Sequence, residues 1–245
     1  MSPATPVRVL LAGADGRMGR VCRAALEAAD DLVLADTLVR GDAPGPRLDP
    51  SRVDVLLDFT LADTSRALAP AAARAGVRPV VGTSGLTADD LLELATACGE
   101  GNVGGLVVPN FSVGAVLQMQ ACERAAAHMR CAGLHEEHHP GKRDAPSGTA
   151  RATAERIAAA RPDGAAPPIT SARREGVLAV QRVTFTADRG IGDTDAAAEE
   201  LVLEHRVTDR AAYVPGILLA LRRVGALDEL VVGLDALLAD GDGLL

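Results

Sequence analysis

The sequence has no Cys-x-x-Cys pair, no long apolar run near its start and no excess of positive charge. The four cysteines are scattered, which favours reduced, partly buried thiols over a disulfide framework or a zinc site. The first residues lack both a basic signal-peptide region and an apolar stretch long enough to span a membrane, so we expect a cytoplasmic protein. The net charge of −8 argues against a nucleic-acid surface and against binding to anionic membranes.

Lysine is also scarce in this chain of 245 residues. Lys142 is the single lysine among 25 basic residues, and three of the five histidines, His135, His138 and His139, lie within eight residues of it. The adjacent Arg143 indicates that charge alone does not require lysine at position 142. Arginine does not deprotonate in proteins, whereas lysine and histidine exchange protons. This composition therefore predicts proton transfer at Lys142, although a flexible surface loop is the plainer alternative.

The first hundred residues alternate between short apolar runs and alanine-rich stretches. Such runs are typical of parallel strands covered on both faces, and their alternation with helices predicts a doubly wound parallel sheet. The predicted strands are 7–13, 32–36, 53–59, 78–84 and 104–110, and the predicted helices are 16–29, 64–75 and 87–98. We expect the third helix to begin with a capping box of Thr87 and Asp90 and to stop at Gly99.

The pattern changes after Asn110. A long helix is predicted at 112–129, a strand at 131–137 and a helix at 147–160, and the segments 176–187 and 199–208 alternate like strands of a half-exposed sheet. An apolar helix at 214–224 and a short apolar segment at 231–238 follow. We expect a dinucleotide-binding domain, 1–110, completed by 215–245, and a smaller mixed α+β domain, 111–214.

Three glycines follow the first predicted strand with the spacing G-x-x-G-x-x-G. Gly13 permits a tight turn, Gly16 leaves room for a pyrophosphate, and Gly19 allows a helix to pack closely on the strand. Their place in the first strand-helix unit favours dinucleotide binding over an ordinary glycine turn.

The position at which an acid often binds the ribose of NAD is occupied by Val39. Arg40 and Arg17 are available instead for the 2′-phosphate of NADPH, which favours NADPH as the cofactor, with a solvated loop arginine as the plainer alternative. Asp36 and Asp42 are near enough in sequence to keep NADH as an alternative.

Residues 135–139 read HEEHH and match the H-E-x-x-H pattern of zinc peptidases, with Glu136 as the base. That chemistry requires one continuous helix, whereas Gly133 and Pro140-Gly141 flank the segment closely. We therefore expect a strand that runs into a loop, and no metal site. Beyond Pro146, the residues Ser147, Gly148 and Thr149 are placed at a helix N-terminus, which can bind a carboxylate or phosphate. A helix cap without a ligand would use the same residues.

Five segments together resemble the 4-hydroxy-tetrahydrodipicolinate reductase (dihydrodipicolinate reductase) family of bacterial lysine and diaminopimelate biosynthesis. They are GADGRMGR (13–20), DFT (58–60), VGTSG (81–85), PNFSVGAV (109–116) and HHPGKRDAPSGTA (138–150). The resemblance implies an N-terminal Rossmann-type doubly wound sheet and a smaller mixed-sheet domain that binds substrate and forms a homotetramer. It also implies hydride transfer from NADPH or NADH to a small cyclic dicarboxylate.

The resemblance further assigns roles to individual residues. His138 and Lys142 match the family's proton-transferring pair, and His139, Gly148 and Thr149 match its substrate-carboxylate ligands. The matched dinucleotide-binding residues are Gly13, Ala14, Asp15, Gly16, Arg17, Met18, Gly82, Thr83, Ser84, Val108, Pro109, Asn110 and Phe111.

The chain departs from the family pattern at three places. Gly141 stands where a further histidine is frequent, no histidine is present near Val180 or Gln181, and Val39 replaces a frequent acid. Two other functions remain open at this point, a non-catalytic dinucleotide sensor and the zinc peptidase.

Overall fold

The computed structural model describes residues 5–188 and 197–238. The chain divides into two compact units. The first, the dinucleotide-type unit, runs to Ser112 and resumes at Tyr213, and the second, the mixed-sheet unit, is Val113–Ala212. None of the helices in the described ranges has the length and apolar character needed to cross a membrane.

The dinucleotide-type unit contains a six-stranded sheet in which every pairing is parallel. Its strands are β1 (Val7–Ala12), β2 (Leu32–Leu38), β3 (Val55–Asp58), β4 (Arg78–Val81), β5 (Gly105–Val107) and β10 (Leu230–Val232), in the order β2-β1-β3-β4-β5-β10. Its helices are α1 (Arg17–Glu27), α2 (Ala62–Arg74), α3 (Ala88–Gly101), α6 (Val214–Arg223) and α7 (Asp235–Leu238). The predicted doubly wound parallel sheet is confirmed.

The apolar runs form central strands because their side chains are buried on both faces of the sheet. Residues 9–12 of β1 are completely buried, and Leu56 and Leu57 of β3 are as well. One core cluster packs Leu10 and Leu56 against Leu68 and Ala72 of α2. β10 was not predicted, because its three residues are too short to give an alternation pattern.

The mixed-sheet unit has strands β6 (Arg130–His138), β7 (Ile169–Arg173), β8 (Ala179–Asp188) and β9 (Ala197–Val207), with helices α4 (Val113–Ala126) and α5 (Gly148–Ala160). The order is β7-β6-β8-β9, with β6 and β7 parallel and the other pairs antiparallel. Cys122 of α4 and Ile157 of α5 pack with Leu134 and Phe185 in one core. The predicted mixed sheet is confirmed, although β7 was missed.

Candidate active site

The loop between β1 and α1 is shaped by Gly13. Its φ is +78°, a left-handed conformation that favours glycine, and a Cβ there would lie 2.7 Å from the carbonyl oxygen of Phe59. The Gly13 N–H donates to the Leu38 carbonyl at 2.9 Å, and its own carbonyl accepts from the Gly16 N–H at 2.9 Å. The loop thus follows the C-terminal end of β1, where the strand order reverses and α/β sheets bind ligands.

Helix α1 begins at this loop without a capping side chain. Gly16 is its N-cap, and the first turn, which starts with Arg17 and Met18, contains no acidic residue. Its N–H groups are therefore suited to an anion. Gly19 permits close packing, because a Cβ there would lie 2.2 Å from the Gly13 carbonyl oxygen. The other predicted loop residues are the buried Ala14 and the exposed Asp15. This loop fits the pyrophosphate of a dinucleotide.

The carboxylates near the end of β2 pair with an arginine that no sequence motif indicates. Arg47 Nη1 lies 3.3 Å from Asp36 Oδ1 and 3.5 Å from Asp42 Oδ2. Asp42 also accepts a hydrogen bond of 3.0 Å from the Val39 N–H. Arg40 is exposed beside this group. Asp36 and Asp42, the two carboxylates that left NADH as an alternative cofactor, are therefore both paired with Arg47.

The C-terminal ends of β4 and β5 lead into a small aromatic cluster. The rings of Phe59 and Phe111 have centroids 5.4 Å apart, and a Cβ at Gly82 would lie 2.4 Å from one ring and 2.8 Å from the other. Thr83 is buried and donates from Oγ1 to the Thr60 carbonyl at 3.1 Å. The other predicted residues of these strand ends are the buried Val108, the half-buried Asn110, and the exposed Ser84 and Pro109.

A buried carboxylate fixes the loop that carries Phe59. Asp58, at the end of β3, is completely buried and accepts hydrogen bonds of 2.6 Å from the hydroxyls of Thr60 and Ser65. Its backbone carbonyl accepts from the Gly82 N–H at 2.8 Å. The DFT segment therefore holds the ends of β3 and β4 in register beside the glycine loop.

The histidine-lysine segment is a strand followed by a turn, as predicted. β6 ends at His138, and the Lys142 N–H donates to the His139 carbonyl at 3.1 Å across Pro140 and Gly141. Lys142 Nζ pairs with Asp144 Oδ1 at 2.9 Å. The zinc-peptidase interpretation is wrong, because the helix it requires is a strand. In the described residues no three His, Cys, Asp or Glu side chains cluster to hold a metal ion.

Helix α5 begins a few residues after this turn. Ser147 is its N-cap and accepts from the Ala150 N–H at 3.1 Å. Gly148 is exposed, and a Cβ there would meet no atom within 4 Å, while Thr149 is half-buried. The start of α5 therefore has room for an anionic group beside its N–H donors.

A buried carboxylate contacts the ring of His138. The side chain of Glu136, two residues earlier on the same face of β6, is 0% exposed, and its Oε2 lies 2.6 Å from His138 Nδ1. Glu136 Oε1 lies 3.3 Å from Arg173 Nη1. Arg173 also donates to the carbonyls of Lys142, at 3.1 Å, and of Asp144. One arginine of β7 thus connects the carboxylate below His138 to the loop that carries Lys142.

The surroundings shift the pKa values of both Glu136 and His138. Burial disfavours the charged carboxylate, but hydrogen bonds from Ser171, Ser147 and Arg173 oppose this effect, and the pKa of Glu136 is lowered. Burial lowers the pKa of His138, against the opposing effect of Glu136. The pair is therefore an ionised carboxylate facing a neutral imidazole at neutral pH.

The model of the dihydrodipicolinate reductase N-terminus matches residues 7–111, and the model of the C-terminus of the same enzyme matches residues 114–238. The chain belongs to the dihydrodipicolinate reductase family. A 4-hydroxy-tetrahydrodipicolinate reductase of Coxiella burnetii (strain Dugway 5J108-111) is 35% identical, over 95% of this chain and 99% of its own length. The enzyme of the same name from Legionella pneumophila (strain Paris) is 36% identical, over 94% and 99%.

A solved structure agrees with the dihydrodipicolinate reductase assignment. The dipicolinate-bound dihydrodipicolinate reductase of Paenisporosarcina sp. TG-14 superposes with a TM-score of 0.81 at 27% identity, over 95% of this chain and 99% of that one. A probable dehydrogenase from Thermotoga maritima gives 0.62 at 15% identity, over 94% and 92%, which shows likeness of fold alone.

The structure shows the local packing at two positions where this chain departs from the dihydrodipicolinate reductase pattern, Gly141 and Gln181. A Cβ at Gly141 would lie 3.2 Å from His139 Nδ1, so the glycine leaves room for that ring. Gln181, where a histidine was expected nearby, is buried and donates to Gln118 and Thr153 at 3.0 and 2.9 Å. This part of β8 therefore contributes to the core of its unit.

The sequence motifs of the dihydrodipicolinate reductase family do not indicate the contact between Glu136 and His138. The sequence pattern assigns Glu136 only the role of base in the peptidase motif. The available signal was the i, i+2 spacing, which puts two side chains on one face of a strand. Arg173 gave no signal, because it lies 31 residues beyond Lys142 on a strand that was not predicted.

Proposed function

We propose that this protein catalyses the NAD(P)H-dependent reduction of 4-hydroxy-tetrahydrodipicolinate to tetrahydrodipicolinate in lysine and diaminopimelate biosynthesis. The observation that carries the proposal is the grouping of His138, Lys142 and the start of α5 in a chain whose family match covers both units. Proton-exchanging side chains beside an anion-binding helix end suit the reduction of a dicarboxylate.

The glycine loop and the start of α1 would hold the dinucleotide pyrophosphate, and the residues after β4 and β5 would line its nicotinamide end. When bound, NAD(P)H supplies the hydride. We infer a preference for NADPH, because Val39 offers no carboxylate to a ribose and Asp36 and Asp42 pair with Arg47. The exposed Arg40 and Arg17 are suited to a 2′-phosphate.

The substrate carboxylates would be bound by His139, Gly148 and Thr149. The space beside Gly148 and the N–H groups of the first turn of α5 favour an anion there. The turn that joins His139 to Lys142 places a histidine and an ammonium group in the same short segment. Pre-organised donors of this kind stabilise charge that moves during the reaction.

Conversion of the 4-hydroxy compound to tetrahydrodipicolinate adds a hydride to the substrate and releases its hydroxyl as water, so the net reaction takes up one proton. Lys142 is the proposed proton donor, since its ammonium can release a proton and a guanidinium cannot. His138, neutral and partly shielded at the end of β6, is the proposed acceptor and relay, which would take up a proton from solvent and return it to the Lys142 amine. Asp144, paired with Lys142, would hold the ammonium in place.

The two units would have separate tasks in this scheme. The dinucleotide-type unit, close to the predicted 1–110 with 215–245, would bind the cofactor, and the predicted 111–214 would bind substrate and form a homotetramer. A cytoplasmic location is also proposed, and the four buried cysteines, all free, accord with a reducing compartment.

The function is tested by following dinucleotide oxidation with substrate generated freshly from aspartate semialdehyde and pyruvate. We expect turnover with both dinucleotides and a larger kcat/KM for NADPH than for NADH. Omission of either precursor is the matched blank. Absence of substrate-dependent oxidation with both cofactors would contradict the proposed function, and a larger kcat/KM for NADH would contradict the proposed preference alone.

A further inference from the structure

Two acidic side chains are completely buried in the described residues, Asp58 and Glu136. Asp58 accepts hydrogen bonds from the N–H and hydroxyl of Thr60 and from the hydroxyl of Ser65 in α2, which together satisfy the carboxylate. Glu136 lies on a strand, contacts groups from three elements and points towards a proposed catalytic histidine. A buried carboxylate costs much free energy unless it is paired and hydrogen-bonded, so its surroundings indicate what it does.

The partners of Glu136 leave one side of the carboxylate for His138. Arg173 lies 3.3 Å from Oε1, and hydrogen bonds also come from Ser171 of β7 and from Ser147, the N-cap of α5. Oε2 lies 2.6 Å from His138 Nδ1, and both of these atoms are shielded from solvent. In the described part of the chain neither atom has a well-aligned hydrogen-bond partner, so only their mutual contact relieves the cost of burial.

This contact determines which nitrogen of His138 carries the proton. An ionised carboxylate accepts hydrogen bonds and has none to donate. The neutral ring must therefore present Nδ1–H to Glu136, which leaves Nε2 with a free lone pair. With the opposite tautomer, two lone pairs would face each other at 2.6 Å.

We propose that Glu136 is a positioning residue that fixes the orientation and tautomer of His138, so that Nε2 is a proton acceptor. Arg173 has a supporting part, since it holds Glu136 and also binds the carbonyls of Lys142 and Asp144. Arg173 thereby contacts both the carboxylate that orients His138, the proposed acceptor, and the loop that carries Lys142, the proposed donor. The catalytic consequence rests on the proposed function, whereas the tautomer does not.

The test is Glu136→Gln, observed by ¹⁵N NMR of the histidine ring nitrogens at neutral pH and by steady-state kinetics. The donors around Oε1 hold the amide oxygen of the glutamine there, so its NH₂ group faces Nδ1. We expect wild-type His138 to show Nδ1–H and the variant to show Nε2–H. We expect kcat to fall on the order of 100-fold, with the KM for NADPH unchanged.

Glu137→Gln is the matched control. It removes the same charge one residue along, on the opposite face of β6, where Glu137 pairs with Arg174 and His135 at 3.4 Å. It should leave the His138 tautomer unchanged and kcat within about 3-fold of wild type, because Glu137 does not contact the imidazole.

The inference is overturned if the spectrum of the wild-type protein shows Nε2–H on His138. This measurement needs neither the variant nor the substrate. The inference is equally overturned if Glu136→Gln folds, shows the inverted tautomer and keeps full kcat. A wild-type protein with Nδ1–H but no turnover contradicts the proposed function and leaves the assigned tautomer standing.

Discussion

At the scale of single residues, His138 meets charged groups from three places. Glu136 faces it from its own strand, Lys142 from the following turn and Arg173 from β7. Burial lowers the pKa of His138 below its ordinary value of 6.5, Glu136 opposes the shift, and the two cations add to it. An imidazole in this setting is neutral over the physiological range and suited to accept a proton.

These shifts predict the pH dependence of kcat/KM. If His138 acts as a neutral acceptor, activity is complete above its pKa and is lost as the pH falls through a value below 6.5. The profile should be measured between about pH 5 and 8 with the dinucleotide saturating. Activity that instead falls as the pH rises through this range would assign the protonated imidazole as the active form.

The residues of the candidate site were predictable from sequence where they are neighbours along the chain. Lys142 was singled out by the arginine-rich composition, and the nearby histidines and Thr149 by the motif around it. Arg173 was not predictable in this way, because its contact with Glu136 spans 37 residues. Such a contact depends on the pairing of β6 with β7, which no local pattern specifies.

At the scale of elements, helix α3 shows both a correct and a wrong expectation. Its capping box is confirmed, with Thr87 and Asp90 bonded reciprocally. The predicted end at Gly99 is wrong, since the helix continues to Gly101 and ends at Asn102, whose φ is 51°. Asparagine also adopts this left-handed conformation, so Gly99 was not needed as the terminator.

The two glycines of α3 predict opposite effects on stability. A Cβ at Gly101 would lie 1.8 Å from the Ala73 carbonyl oxygen in α2, so Gly101→Ala should lower the free energy of unfolding by about 1–3 kcal/mol. At Gly99 nothing lies within 4 Å, so Gly99→Ala should raise it by about 0.5–1 kcal/mol. Urea denaturation measures both, and equal effects would contradict the packing of α2 on α3.

At the scale of the whole molecule, the alternation of apolar runs with helical stretches was sufficient to predict the parallel sheet. Strand order requires contacts between distant segments, as when β10, near the end of the chain, pairs with β5. The mixed sheet was predictable as a class from its alternating strands. The parallel β6–β7 pair was not predictable, because the five residues of β7 directly follow a Pro/Gly-rich loop and are too few to show a clear strand pattern.

The proposed homotetramer is a prediction at the same scale. β9 lies at the edge of the mixed sheet and exposes Leu201 and Val202, which are 38% and 42% accessible. Exposed apolar side chains on an edge strand favour burial against another copy. Light scattering after size-exclusion chromatography should give four times the chain mass of 25.1 kDa. A mass equal to one chain at micromolar concentration would contradict the prediction.

The most direct test of the account is the turnover of Lys142→Arg, which keeps a positive charge at position 142 and removes the exchangeable amine. We expect kcat to fall on the order of 100-fold, while the Kd for NADPH is unchanged. Arg143→Lys, the reverse exchange at the exposed neighbour, should retain wild-type turnover. A Lys142→Arg enzyme within about 3-fold of wild-type kcat would show that no proton is transferred from this residue.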